Sequence, residues 1–187
     1  MATYYGYRTI NHNSYNAWKT ATLGNSYDVD YYPIDQPFQC WDYCSLAYFQ
    51  YGRILLTKAG GGTAADCWNV SRAYNSKSPF ISVTGKENIK KGDIVVFNVS
   101  SRLPFGHIGF ADENYNGTNY IRVLGQNQAG HPYVDTQNYN LIDFLGIFRN
   151  RNWDSTPQPP PDPPSTTTKK RKFPWPVAWA HWDNFKI

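Results

Sequence analysis

The order of hydrophobic patterns along the chain is the feature that most limits its fold. Three stretches have the composition and capping signals of helices, and all of them precede a series of short strand-like runs. Ser14 and Thr63 are the candidate N-caps, and Asp66 stands three residues after Thr63 as in a capping box. The predicted helices cover 13–23, 37–51 and 63–74, and the predicted strands cover 93–99, 106–111, 119–124 and 144–149. Helices grouped before antiparallel strands predict an α+β domain.

A change of composition after Trp153 predicts where this domain ends. Six prolines lie between Asp154 and Ser165, without apolar periodicity, which favours an extended linker. We therefore divide the chain into a globular domain (1–153), a Pro/Thr-rich linker that ends in a basic run (154–172) and a Trp-rich tail (173–187). The tail is too short to fold alone.

Charge and cysteine content exclude several classes of protein. The net charge is +4, from 18 basic and 14 acidic residues, without the dense Lys/Arg stripe of a nucleic-acid-binding protein. No apolar run is long enough to cross a bilayer, and the first residues do not resemble a signal peptide. We therefore expect synthesis in a cytoplasm and no membrane insertion. Three cysteines are an odd number, which favours a reducing compartment with a free thiol.

Cys40 is the candidate nucleophile. It lies in the first turn of the second predicted helix, where the helix dipole and free backbone N–H groups are expected to lower the pKa of a thiol. The side-chain amide of Gln39 is placed to donate a hydrogen bond to an oxyanion, together with the backbone N–H of Cys40. Cys44 and Cys67 lie deeper in apolar helices, and we interpret both as buried structural residues.

His107 is the candidate general base, at the start of a predicted strand. Alternation places it on one face with Gly109 and Ala111, and these small neighbours leave room for a substrate. A lone histidine at such a position is more often a plain surface residue. Asn127 strengthens the functional interpretation because it follows the next predicted strand, and an amide there can accept the second ring N–H. His12, His131 and His181 fit this role less well.

Four short segments resemble the CHAP family, the cysteine- and histidine-dependent amidohydrolases and peptidases related to the NlpC-like and papain folds. They occur in family order at 38–42, 90–97, 105–109 and 123–127, and the resemblance covers roughly residues 27–149. It implies a papain-like α+β fold in which N-terminal helices pack on a small antiparallel β-sheet.

The resemblance also implies roles for individual residues. Cys40 would be the nucleophile, His107 the base, Asn127 a polar group that orients the histidine, and Gln39 an oxyanion donor. The chain departs from the family at Gly125, where many members have an acidic residue two positions before the asparagine.

By the same resemblance the chain is expected to be a peptidoglycan hydrolase of the phage endolysin type, acting on the bacterial cell wall after its release from the host cytoplasm. It would cut an amide bond, as an endopeptidase or an N-acetylmuramoyl-L-alanine amidase, without an organic cofactor. The alternatives are a wall hydrolase carried on the virion tail, a non-catalytic wall-binding module of the same fold, and an intracellular thiol peptidase.

The tail has two interpretations. Lys169, Lys170, Arg171 and Lys172 precede three tryptophans, a pattern suited to stacking on sugars beside a basic contact to teichoic acid. The alternative is a disordered tail or the first part of a wall-binding domain.

Residues on both sides of Cys40 in the sequence predict a calcium site. Asp28 and Asp30 form an Asp-x-Asp pair, Tyr32 follows them, and Asp42 lies two residues after Cys40. Carboxylate and backbone oxygens are the ligands that Ca²⁺ prefers, although a solvated turn has the same composition. Several phage CHAP domains bind calcium through a similar arrangement, which favours calcium here. The cysteine and histidine spacings do not match a zinc site.

Overall fold

The structure is a computed structural model that describes residues 1–10, 12–30, 38–52, 62–71 and 80–153. The predicted linker and tail, 154–187, lie outside the described residues. Within the described ranges, no helix combines the length and the apolar character needed to cross a membrane.

Two of the described helices begin at their predicted capping residues. Helix α1 covers Tyr15–Thr22, and the Ser14 hydroxyl accepts a hydrogen bond from the Ala17 N–H at 3.3 Å. Helix α3 covers Ala64–Ser71, and Thr63 and Asp66 form the expected reciprocal capping box. Helix α2 covers Cys40–Gly52, so it starts three residues later than predicted.

Six of the described strands form one antiparallel sheet in the order β3-β8-β4-β5-β6-β7. Their bounds are β3 Phe80–Val83, β4 Ile94–Phe97, β5 His107–Ala111, β6 Tyr120–Gly125, β7 Asp135–Asn140 and β8 Phe144–Asn150. Strands β1 (Thr3–Tyr5) and β2 (Ser26–Asp28) form a separate parallel pair. The predicted α+β fold with a small antiparallel sheet is confirmed, and β4, β5, β6 and β8 match the four predicted strands.

Both faces of the sheet are buried. Helix α2 packs against β5 and β6, and α3 against β4 and β8. Ile108 and Phe110 of β5 belong to the core on the helix side, whereas Ala111 belongs to a second core on the opposite face. The predicted alternation along β5 is therefore confirmed. Burial of each large apolar side chain contributes about 1.5–3 kcal/mol, which fixes the position of β5 and of the histidine at its start.

Candidate active site

Cys40 is the first residue of α2 and is partly exposed. The start of this helix is fixed from within, because Asp42 Oδ2 accepts a hydrogen bond from the Gln39 N–H at 2.7 Å. This contact is one of the two hydrogen bonds of a capping box, and it makes Gln39 the N-cap, the residue directly before the helix. Cys44 and Cys67 are fully buried in the core, as predicted.

The environment of the Cys40 sulfur favours the neutral thiol. Burial raises its pKa to about 11, while the backbone N–H groups of Ile108 and Trp41 lower the pKa and the carboxylate of Asp42 raises it further. The N–H groups at the helix start lower the thiol pKa as expected, but loss of hydration outweighs them, so the expected preference for the thiolate is wrong. A nucleophile in this state needs a neighbouring base to remove its proton.

His107, the first residue of β5, is 3% exposed. Burial lowers its pKa to about 4, and neighbouring Gln128 and Asp135 only partly offset this effect. The imidazole is therefore neutral at ordinary pH and able to accept a proton. Its ring stacks on that of Tyr139 from β7, with centroids 4.5 Å apart and an interplanar angle of 6°. This stacking restricts the tilt of the ring.

The cysteine and the histidine occupy the same end of β5. The Cys40 sulfur lies against the backbone N–H of Ile108, the residue that follows His107. Tyr139, which stacks on the histidine, is also close enough to interact electrostatically with Cys40. Burial is the larger effect that raises the pKa of Tyr139, and the interaction with Cys40 raises this pKa further. The structure therefore brings together the two principal residues predicted from the sequence.

Asn127 is placed differently from the prediction. The register Phe110↔Leu124 and Ala111↔Val123, if it continued, would bring Asn127 opposite His107. Strand β6 ends at Gly125, however, and the chain turns, so that Asn127 is exposed and has a left-handed backbone with φ of 56°. Its assignment as the orienting group remains a prediction that this geometry does not favour.

Gln128 occupies the space beside His107 instead. It is 2% exposed, and its Nε2 donates to the backbone oxygen of Asp135 at 2.8 Å and to Asp135 Oδ1 at 2.7 Å. Its Oε1 and His107 Nε2 are both buried, and neither has a partner of full hydrogen-bond geometry among the described residues. The interaction with Gln128 nevertheless raises the pKa of His107 slightly against the effect of burial.

Gln126 connects the start of the nucleophile helix with β2. Its side chain is fully buried; Oε1 accepts from the Tyr27 N–H at 2.7 Å, and Nε2 donates to the Tyr27 oxygen at 2.7 Å and to the Gln39 oxygen at 3.1 Å. The backbone of Gln39 is therefore held on both sides, by Gln126 and by Asp42. Gln39 itself is partly exposed next to the nucleophile.

Three of the predicted metal ligands lie together. One carboxylate oxygen from each of Asp28, Asp30 and Asp42 is within 4.8 Å of the other two. Oxygens on opposite sides of a Ca²⁺ ion are separated by about twice the Ca–O distance of roughly 2.3–2.6 Å, so this spacing fits calcium. Burial raises the pKa of Asp42 to about 7, and the charges of Asp30 and Asp28 add to the effect. The fourth predicted ligand, Tyr32, lies outside the described residues.

Sequence reasoning missed Gln126, Gln128, Asp135 and Tyr139. Gln126 and Gln128 could have been found from the sequence, because amide side chains directly after a buried strand become buried with the turn and must then form hydrogen bonds. Asp135 and Tyr139 lie on β7, a strand that was not predicted.

A cysteine that opens a helix and a histidine that opens a strand of an antiparallel sheet define the papain-like class of α+β proteins. The family model of the CHAP domain matches residues 26–127, and the chain belongs to this family. No curated protein matches the sequence.

One of the solved structures similar to this chain shares its fold, the wild-type endolysin LysIME-EF1. The wild-type endolysin LysIME-EF1 is 17% identical, with a TM-score of 0.54 over 77% of this chain and 67% of that chain. Ly7917 alone and Ly7917 with the hydrolyzing product of MDP are each 16% identical, with TM-scores of 0.44 and 0.43 over 61% of this chain and 54% of theirs. The chain thus spans about half the length of Ly7917.

Proposed function

We propose that this protein is a peptidoglycan hydrolase that cleaves an amide bond of the bacterial cell wall through a Cys40 thioester. One observation carries the proposal: a partly exposed cysteine at a helix start lies against the strand residue that follows a neutral, buried histidine. Membership of the CHAP family supports the substrate class. The fold of the endolysin LysIME-EF1 supports an endolysin-type role, with action on the wall after release from the host cytoplasm.

The protonation states support acyl transfer with proton removal during attack. The Cys40 thiol approaches the carbonyl carbon while His107 takes its proton, because the first is a neutral acid and the second a neutral base at ordinary pH. His107 then gives this proton to the leaving amine. Water attacks the thioester, with the same imidazole as base, and releases the carboxylic acid.

The oxyanion is stabilised by N–H groups at the helix start. The backbone N–H groups of Cys40 and Trp41 face the sulfur, so they lie close to any carbonyl that the sulfur attacks. The Gln39 side chain is a further candidate donor. The Gln39 N–H donates to Asp42, and Gln126 Nε2 donates to the Gln39 carbonyl oxygen, so the backbone of Gln39 is held in place beside the nucleophile.

Calcium is part of the proposal. Asp28, Asp30 and Asp42 would hold the ion, and Tyr32 would add an oxygen in the arrangement predicted from the sequence. The ion would neutralise a cluster of carboxylates that is otherwise self-repelling and would link β2 to the start of α2. Its role is structural, since the reaction needs no group from the metal.

Mass analysis of purified walls after digestion tests the proposed reaction. An amidase would separate the lactyl group of muramic acid from L-alanine, whereas an endopeptidase would create a new amino terminus within the stem peptide or cross-bridge. Either product supports amide hydrolysis. New reducing sugar ends, or intact walls after prolonged incubation with folded protein, would contradict it.

A further inference from the structure

We propose that Gln128, anchored by Asp135, is the residue that positions the catalytic histidine in this chain, in place of a carboxylate at position 125. This inference rests on the proposed function, because it assigns a role around the same histidine. It is carried by the packing of Gln128 and by the absence of a side chain at Gly125.

Gly125 leaves the space that Gln128 uses. A Cβ atom at position 125 would lie 3.0 Å from Gln128 Oε1 and 3.1 Å from His107 Nε2. The amide oxygen and the ring nitrogen therefore converge on the same glycine from two sides. A longer side chain at this position would separate them.

The orientation of the Gln128 amide follows from its donors. Both hydrogen-bond acceptors at 2.7–2.8 Å from Nε2 are oxygens of Asp135, and a third oxygen, that of Val123, lies at 3.4 Å. The amide oxygen Oε1 has no proton to donate, so it cannot form hydrogen bonds with these three oxygens. The carbonyl end of the amide is therefore the end directed towards His107.

A carbonyl oxygen at this place selects one form of the imidazole. It can only accept a hydrogen bond, so it favours the ring that carries its proton on Nε2 and leaves Nδ1 free to take the thiol proton. The contact does not meet full hydrogen-bond geometry, and catalytic hydrogen bonds commonly tighten when substrate binds. Tyr139 holds the ring face, and Gln128 holds its edge.

Asp135 fixes Gln128 through a wider network. Its second carboxylate oxygen lies 2.7 Å from His131 Nδ1 and accepts from Gln137 Nε2 at 3.0 Å. These contacts hold the carboxylate on β7, so that the amide cannot flip without losing two short hydrogen bonds. Gln128 is therefore a positioning residue that acts through His107.

The test combines NMR of the free protein with kinetics. In ¹⁵N-labelled wild type at neutral pH we expect a His107 Nε2–H resonance that is hydrogen-bonded and slow to exchange, assigned by its loss in His107→Ala. In Gln128→Met, which keeps the length of the side chain, this resonance should move upfield or broaden through exchange. The kcat for wall cleavage should fall about 10–100-fold with little change in KM.

Two further variants keep the result interpretable. Gly125→Ala inserts a methyl group between ring and amide, and it should reproduce the spectral change even if Gln128→Met folds poorly. Asn138→Met is the matched control, since it also exchanges an amide for a thioether on β7 but at an exposed residue outside the Asp135 contacts described above, and it should leave the resonance and kcat unchanged. A wild-type ring protonated on Nδ1, or an unchanged Nε2–H resonance in both Gln128→Met and Gly125→Ala, would overturn the proposal.

The spectral readout separates this inference from the proposed function. If wild type fails to cut walls but its Nε2–H resonance responds as expected, the hydrolase assignment fails and the positioning role stands. If walls are cut and the resonance does not respond, the positioning role fails alone.

Discussion

At the scale of single residues, burial decides the chemistry of the site. The Cys40 thiol and the His107 ring are both held in their neutral forms because each lies among protein atoms that replace water. The charges form only when a proton passes from sulfur to nitrogen. Attack and deprotonation are therefore coupled in this site, in contrast to an enzyme with a preformed thiolate.

The neutral His107 predicts a specific dependence of stability on pH. Its pKa is about 4 in the folded protein and about 6.5 when unfolded, so between these values only the unfolded chain binds the proton. The free energy of unfolding contributed by His107 therefore rises with pH through this window and is complete above it. From these two values we expect this contribution to be about 2 kcal/mol smaller at pH 5 than at pH 7.

Denaturant unfolding of wild type and His107→Gln at both pH values measures this contribution. The difference between the two proteins isolates His107 from other titrating groups, such as Asp42. We expect the wild type to lose more stability on acidification than the variant does. Equal losses in both proteins would show that the histidine titrates normally in the folded state.

Sequence reasoning placed Cys40 and His107 correctly at the starts of their elements, because these positions depend on local context. A cysteine at a helix start and a histidine at a strand start can be recognised from a few neighbours. Asn127 was selected by the same logic, but in the turn after Gly125 this residue is exposed, and Gln128 lies beside His107 instead. The contact of Gln128 depends on the path of this turn and on Asp135, and neither is encoded in the residues around the histidine.

At the scale of elements, polar composition hid a strand that forms part of the site. Strand β7 has the sequence Asp-Thr-Gln-Asn-Tyr-Asn and lies at the edge of the sheet, where β6 is its only partner among the described strands. Edge strands of this kind lack the apolar alternation on which strand prediction depends. The same strand supplies Asp135 and Tyr139 to the surroundings of His107. The fold class was thus predictable, while the edge of the site was not.

The predicted calcium site is also a feature of the elements, because its acidic cluster of Asp28, Asp30 and Asp42 connects β2 with α2. Asp30→Asn is the cleanest probe, because Asp42 also caps α2 and holds the Val29 N–H. We expect calcium to raise the melting temperature of wild type and titration calorimetry to detect binding. In Asp30→Asn, the protein without metal should melt at an equal or higher temperature, since one like charge is removed, and calcium should have little effect.

Asp143→Asn is the control for this experiment, because Asp143 pairs with Arg102 outside the acidic cluster. It should retain the response of wild type to calcium. A melting temperature of metal-free wild type that does not change with millimolar calcium, together with no heat of binding, would remove the calcium site from the account.

At the scale of the whole molecule, the sheet is the frame that brings distant residues together. Gln39 and Cys40 belong to the helical part of the sequence, His107 to β5, and Gln126 and Gln128 to the turn after β6. The two buried faces of the sheet fix β5 between helices and the second core. Hydrogen bonds of Gln126 then connect the turn to β2 and to the nucleophile helix. The cysteine and the histidine come together because α2 packs against β5, the strand that begins at the histidine.

The central claim is that the sulfur of Cys40 performs the reaction. Its most direct test is the initial rate at which amino groups or lactyl-linked products appear from purified walls, compared between wild type and Cys40→Ala. Cys67→Ala is the matched control, since it removes a buried thiol from α3. We predict that Cys40→Ala lowers the rate at least about a thousandfold and that Cys67→Ala stays within a few-fold of wild type. A folded Cys40→Ala protein that cuts walls at a rate near that of wild type would contradict the account.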